Sequence, residues 1–160
     1  MDFTAVISSR RAVRKYKSDP VPESKMQKLY EALNLAPSGN NAQPYEFIFV
    51  RDGAVRKQIV SEGCHQEFIG EAPVLMVAVC DPGKSFDAAI AVDHLILAAT
   101  NEGLGTCWIG WIEREPIKNI LGIPAEKEVP VLVPIGFPAE NPPAKPRKPL
   151  GQIIRFDKYQ

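Results

Sequence analysis

The chain of 160 residues (17.7 kDa) is the length of one domain and can bury roughly 70% of its extended surface, so a real core needs no staples. Nineteen Lys and Arg balance nineteen Asp and Glu, which argues against a surface built wholly to grip nucleic acid or an acidic membrane. An apolar content of 45% with 24% charged residues is that of a globular chain, not a disordered one.

In chain order, residues 3–9 form a short helix that leads into basic residues. Residues 23–36 are helical, because Met26, Leu29, Tyr30 and Leu33 fall at i, i+3, i+4 and i+7. Pro22 suits the start of that helix, and Pro37 with Gly39 ends it. Residues 45–50 (YEFIFV) read as a strand, 54–61 as a helix and 74–80 (VLMVAVC) as a strand buried on both faces. Residues 85–101 form a long helix, apolar on nearly all sides apart from Asp87, Asp93 and His94, and therefore enclosed by protein. Residues 105–111 read as a strand, 114–121 as a short helix, and 129–135 as a last strand broken by Pro130 and Pro134. The class is α+β or α/β, with a small sheet of about four strands. Seven of the 15 prolines fall between Pro130 and Pro149, so residues 138–149 form an extended arm. Ile153, Ile154 and Phe156 in the tail are too apolar to stand free. They pack either on their own core or on a partner chain.

The longest apolar run, residues 72–80, is too short to span a bilayer, and the N-terminus lacks the basic-then-apolar order of a signal peptide. Three cysteines without a CxxC predict no disulfide framework and a reducing cytoplasm. His65 and His94 have no metal-ligand spacing around them, so no metal site is expected and both read as structural.

Three segments carry residues suited to chemistry. Five of the eight residues from Arg10 to Lys17 are cationic. On a helical turn Arg10, Arg11 and Arg14 share a face, and arginine forks match phosphate oxygens in pairs. The plainer reading is a solvated basic helix end, and a nucleic-acid surface would need a wider positive face. The run from Ala36 to Pro44 (APSGNNAQP) lies at a helix-to-strand junction and is first of all turn chemistry. Asn41 and Gln43 nevertheless offer both donors and acceptors, as the pyrimidine edge of a flavin or a base requires. The run from Gly103 to Gly110 (GLGTCWIG) is not a dinucleotide fingerprint, because it runs helix, glycine turn, strand and departs from GxGxxG. Trp108 there is either core or the neighbour of a flat ring. In the proline arm, Lys145 and Arg147 are surface charge when taken alone. Joined to the N-terminal arginines they make a second set of cations for one phosphate.

These segments, in this order, together with Ala72-Pro73-Val74, resemble the nitroreductase family of FMN-dependent oxidoreductases over residues 9 to about 149. The resemblance implies an α+β fold with a central, mainly antiparallel sheet flanked by helices. It implies an intertwined homodimer with FMN at the interface, in which residues 1–160 form one domain and the arm and tail, about 138–160, pack on the partner. It further implies two-electron transfer from NADH or NADPH through tightly bound FMN to nitroaromatic, quinone or similar small acceptors, by a ping-pong mechanism.

Carried over by residue, Arg10 and Arg11 hold the phosphate and ribityl region, and Arg14 lies near N1 and O2 of the ring. Pro37, Ser38, Gly39 and Asn41 border the ring from the other subunit. Trp108, Ile109 and Gly110 lie along its other side, Lys145 and Arg147 complete the phosphate clamp, and Gln66 touches the ring or ribityl chain. Ala12 stands where many relatives have Ser, so a hydroxyl contact is missing. Chemistry at flavin N5 requires no side-chain acid or base. The chain is short for the family and lacks the insertions that roof the substrate pocket. A flavin-holding redox sensor or carrier without turnover is therefore the alternative reading.

Overall fold

The strand Val74–Cys80 (β2) is apolar and buried at every position, and alternate residues serve two different cores. Val74, Met76 and Ala78 face one layer with Met26, Leu29 and Leu33, while Leu75, Val77 and Val79 face another with Ile59, Ile69 and Ile117. Period-two geometry requires this division. The computed structural model describes residues 1–159. It has three layers, with helices Glu23–Asn34 (α2) and Ser85–Asn101 (α5) on one side of the sheet. Helices Gly53–Ile59 (α3), Glu67–Glu71 (α4) and Arg114–Leu121 (α6) cover the other. Burial of each Leu or Ile in these layers contributes about 1.5–3 kcal/mol before entropy is set against it.

The sheet has strand order β1-β2-β4-β3, where β1 is Tyr45–Val50, β3 Gly105–Thr106 and β4 Leu132–Gly136, and every pairing is antiparallel. The last strand starts later than residue 129 because Pro130 cannot donate to the ladder. Only isolated bonds, such as Ala78 N to the Val131 carbonyl at 3.1 Å, continue the contact there. The predicted strand 105–111 shrinks to two residues. The chain leaves the sheet after Thr106 and returns for a single bridge between Ile109 and Leu132.

Three helix expectations also change. The helix predicted over 23–36 ends at Asn34, because Pro37 disfavours helical geometry in the residue before it. The helix predicted over 54–61 closes at Ile59 and passes into a π-helical turn, Val60–Cys64, followed by the unpredicted α4. The basic segment 10–17 is not helical. The first helix, Phe3–Ser9 (α1), stops at Arg10, which is extended (φ −55°, ψ 131°). Residues 12–17 then lie against Thr106 on one side and Phe137–Pro138 on the other.

The long helix α5 is enclosed on one face only. Ala88, Ala91, Val92, Leu95, Ile96 and Ala99 are buried, but Phe86 is 85% and Ile90 42% exposed. The tail does not return to its own core either, since Ile153, Ile154 and Phe156 all face outward. Among the described residues no helix is long and apolar enough to cross a membrane, and the three cysteines are free thiols.

Candidate functional site

The two chain termini meet at one cleft. The turn after α1 brings Arg10, Arg11, Ala12 and Arg14 to one wall, and the proline arm brings Lys145 and Arg147 to the other, around a cavity of about 690 Å³. Backbone pairing fixes the two walls. Lys17 N donates to the Phe137 carbonyl and Ala139 N to the Lys15 carbonyl, each at 2.9 Å. Val13 N donates to the Thr106 carbonyl at 2.9 Å, which ties the arginine segment to β3. Gly105 permits that approach, because a Cβ there would lie 2.9 Å from the Val13 side chain.

The charge in this cleft is unbalanced. The Arg11 guanidinium donates to the Ser8 and Arg10 carbonyls at 2.7 and 2.8 Å, using two of its five donors. Among the described residues the side chains of Arg10, Arg14, Lys145 and Arg147 form no ion pair. Beneath them lies Cys107. Burial pushes its thiol pKa up, and the Arg14 and Arg10 charges pull part of that shift back. Tyr16 is buried under the same wall and gives its hydroxyl to the Val13 carbonyl at 2.6 Å. Burial, the largest effect, raises its pKa far above the ordinary phenol range.

Trp108, Ile109 and Gly110 follow directly from Cys107. Ile109 is buried, with both backbone groups bonded to Leu132, while Trp108 and Gly110 stay exposed on either side. Gln66 is not at the cationic cleft. It starts α4 and lines a separate cavity of about 220 Å³ with His65, Trp111 and Glu113.

The loop Pro37–Asn41 is also apart in a single chain. It precedes β1 at one edge of the sheet, whereas Ala12 bridges to Thr106 of β3 at the opposite edge. Gly39 N donates to Asp87 Oδ1 at 2.9 Å in the first turn of α5, and Ser38 Oγ accepts from Gln43 N at 2.9 Å. Between these ties Asn40, Asn41 and Gln43 adopt φ of 53°, 55° and 47°. Three left-handed non-glycine residues in so short a run are costly and persist only where their surroundings dictate them. Sequence reasoning missed Asp87 and Glu140 as anchors. Each lies far in sequence from what it holds, and no local period marks them.

The fold and the cleft together define a small α+β protein with a cationic recess of about 690 Å³. The family described as "Putative TM nitroreductase" matches residues 2–160, and the chain belongs to the nitroreductase family. A protein of Methanothermobacter thermautotrophicus named "Putative NADH dehydrogenase/NAD(P)H nitroreductase" is 34% identical over 154 residues, covering 89% of this chain and 80% of that protein. The crystal structure of a nitroreductase family protein from Clostridium novyi NT is 32% identical, with a TM-score of 0.81 over 88% of this chain and 87% of that one. The structure of an FMN-dependent nitroreductase from Clostridium difficile R20291 is 28% identical, with a TM-score of 0.84 over 98% of this chain and all (100%) of that one.

Proposed function

We propose that the protein is an FMN-dependent NAD(P)H oxidoreductase that works as a homodimer. The observation that carries this reading is the cleft in which Arg10, Arg14, Lys145 and Arg147 converge with no side-chain ion pair among the described residues, the one neighbouring carboxylate, Glu140, being held by the Arg14 backbone N–H. A phosphomonoester carries about −1.5 to −2 charge at neutral pH, and bidentate guanidinium bonds suit its oxygens. The donor set therefore fits the FMN phosphate. Arg10, Arg11, Lys145 and Arg147 hold that phosphate, and Ala12 lines the recess without adding a hydroxyl. Arg14 is assigned to the pyrimidine end of the ring, where a fixed cation favours the negatively charged form. Trp108, Ile109 and Gly110 border the ring, and Gln66 lies beyond them. Bound FMN supplies reversible hydride transfer between NADH or NADPH and a small acceptor such as a nitroarene or quinone.

The second subunit enters because Pro37, Ser38, Gly39 and Asn41 lie across the sheet from the cleft of their own chain. An exposed apolar strip supports it: Phe86 and Ile90 of α5 lie open, as do Phe3 and Ile7 of α1. Unpartnered apolar surface of this kind favours a self-complementary contact. Of the stretch 138–160 expected to pack on the partner, the arm as far as Arg147 lies on its own chain's cleft, and it is the tail beyond it that covers the partner, which gives Ile153, Ile154 and Phe156 a burial their own chain does not offer.

The test is purification without added flavin, loading with FMN, and anaerobic addition of NADH or NADPH. The expected result is a yellow protein, twice the chain mass in sedimentation, whose colour bleaches on reduction and returns with a nitroarene or quinone. A chain that cannot be loaded with FMN overturns the reading. A yellow protein reduced no faster than free FMN is instead a flavin carrier.

A further inference from the structure

Gly105 of β3 and Gly136 of β4 stand opposite one another in the sheet register. Two facing glycines leave a notch without side chains, and the basic segment fills it. A Cβ on Gly105 would lie 2.9 Å from the Val13 side chain, and one on Gly136 would lie 3.1 Å from Tyr16 Cδ1. Val13 and Tyr16 are accordingly buried, in one cluster with Ala72 and Phe68.

Seated there, Tyr16 donates its hydroxyl to the Val13 carbonyl at 2.6 Å, and the Pro134 carbonyl lies 3.4 Å away. Burial holds the phenol pKa far above its ordinary range, so the hydroxyl stays a donor. The Val13 carbonyl and the Arg14 N–H belong to one planar peptide unit. That unit is therefore held at both ends, by Tyr16 on its oxygen and by Glu140 Oε1 on its N–H. Rotation of the unit changes ψ of Val13 and φ of Arg14 together, so pinning it fixes the direction in which the Arg14 side chain leaves the backbone. Arg14 lines the cationic cleft and, among the described residues, forms no ion pair. Its direction rests on the backbone. A phenylalanine would fill the notch as well as Tyr16 does, so packing alone does not require the hydroxyl.

We propose that the Tyr16 hydroxyl is a positioning group that acts through Arg14, holding the guanidinium where negative charge collects on the reduced flavin ring. The inference rests on the flavin reading. A hydride from NADH or NADPH brings two electrons and one proton to the ring, and the charge left at N1 and O2 is what a fixed cation stabilises. The oxidised ring has no such charge at that end. A loosened Arg14 therefore weakens the reduced form more than the oxidised one.

The experiment compares Tyr16→Phe with the parent in two measurements. In the flavin-free, full-length protein, hydrogen exchange followed by NMR should quicken at the Arg14 amide by about five-fold, the scale of one hydrogen bond, while the Ala139 and Ile109 amides keep their rates. Anaerobic titrations with oxidised FMN and with dithionite-reduced FMN then give two affinities. Their ratio should move about five-fold against the reduced form, which lowers the two-electron potential of the bound flavin by about 20 mV. Arg14→Ala should move the ratio in the same direction, and adding Tyr16→Phe to it should move it no further. Equal quickening at all three amides, a ratio unmoved by Tyr16→Phe, or the same five-fold step in the Arg14→Ala background overturns the proposal and leaves a hydroxyl that only stabilises the fold. A ratio unmoved by Arg14→Ala removes Arg14 from the ring and overturns the proposal with it. A chain that binds neither form of FMN overturns the flavin reading and this role together. A chain that binds both, with the ratio indifferent to Tyr16, overturns the positioning role alone.

Discussion

The Glu140 carboxylate accepts a hydrogen bond from the Arg14 backbone N–H at 2.5 Å, although 126 positions separate the two residues. This bond joins the proline arm to the N-terminal segment just where the arm turns toward Lys145 and Arg147. Without it those cations hang on a run of residues 141–149 that has no regular structure. Glu140→Ala is expected to weaken FMN binding about ten-fold, the scale of one charge-assisted bond lost from a partly buried position. Glu140→Gln keeps the acceptor and is expected to lose far less. Fluorescence titration of the two variants with FMN measures the difference.

The cations are expected to act on the phosphate alone. Lys145→Ala and Arg147→Ala should each weaken FMN by about ten-fold or more, since a bond to a charged group contributes about 1.5–3 kcal/mol. Riboflavin has the same ring without the phosphate, and its affinity should stay unchanged. Competitive titrations with both ligands test this, and an equal loss for the two refutes the phosphate assignment.

Asp87 should show the opposite signature. Its carboxylate holds Gly39 N and thereby the strained loop assigned to the ring of the partner subunit. Releasing that loop lets Asn40, Asn41 and Gln43 relax from their left-handed angles. Asp87→Ala is expected to weaken FMN and riboflavin by the same factor, about three- to ten-fold on the scale of one hydrogen bond. The same titrations distinguish it from the phosphate variants.

Glu102, at the end of α5, ties that helix to α2. Its carboxylate meets Lys28 Nζ at 2.9 Å and Lys25 Nζ at 3.5 Å. The hydrogen bond from Lys28 is the main force holding its pKa below the ordinary value of 4.5. A folded-state pKa below the unfolded one contributes stability that is complete above the unfolded value and is lost as pH falls through the folded one. Glu102→Gln should therefore lower stability at pH 7 by about 0.5–1 kcal/mol, the scale of an ion pair whose lysines remain partly exposed. Urea unfolding should show the two proteins converging once the pH drops below the lowered value.

Much of this architecture is written locally. The period of Met26, Leu29 and Leu33 marks α2, and the unbroken apolar run of β2 marks the centre of the sheet. The cationic cleft could be anticipated because arginines at one end of the chain and Lys145 and Arg147 near the other are the chain's densest cations outside paired helices. What failed has a physical cause. Arg10 to Lys17 carries helical spacing, yet backbone bonds to Thr106 and Phe137 pull it extended, and those partners lie more than ninety positions away. The strand predicted after Gly105 keeps its alternation, with Cys107 and Ile109 buried and Trp108 outside, but beyond Thr106 only Ile109 rejoins the ladder, through its two bonds with Leu132. His65 and Glu113 lie 48 positions apart, and the packing of Gly63 on α6 with the bond from Glu113 N to the Gly63 carbonyl brings them together.

Overall neutrality conceals an uneven distribution. Five of the nineteen basic residues line the cleft, which leaves fourteen against nineteen acids on the remainder of the chain. The outside is thus net anionic and the recess is its positive exception. Such a field repels polyanions from most approaches and guides small dianions by diffusion toward one mouth, with an association rate that falls as ionic strength rises.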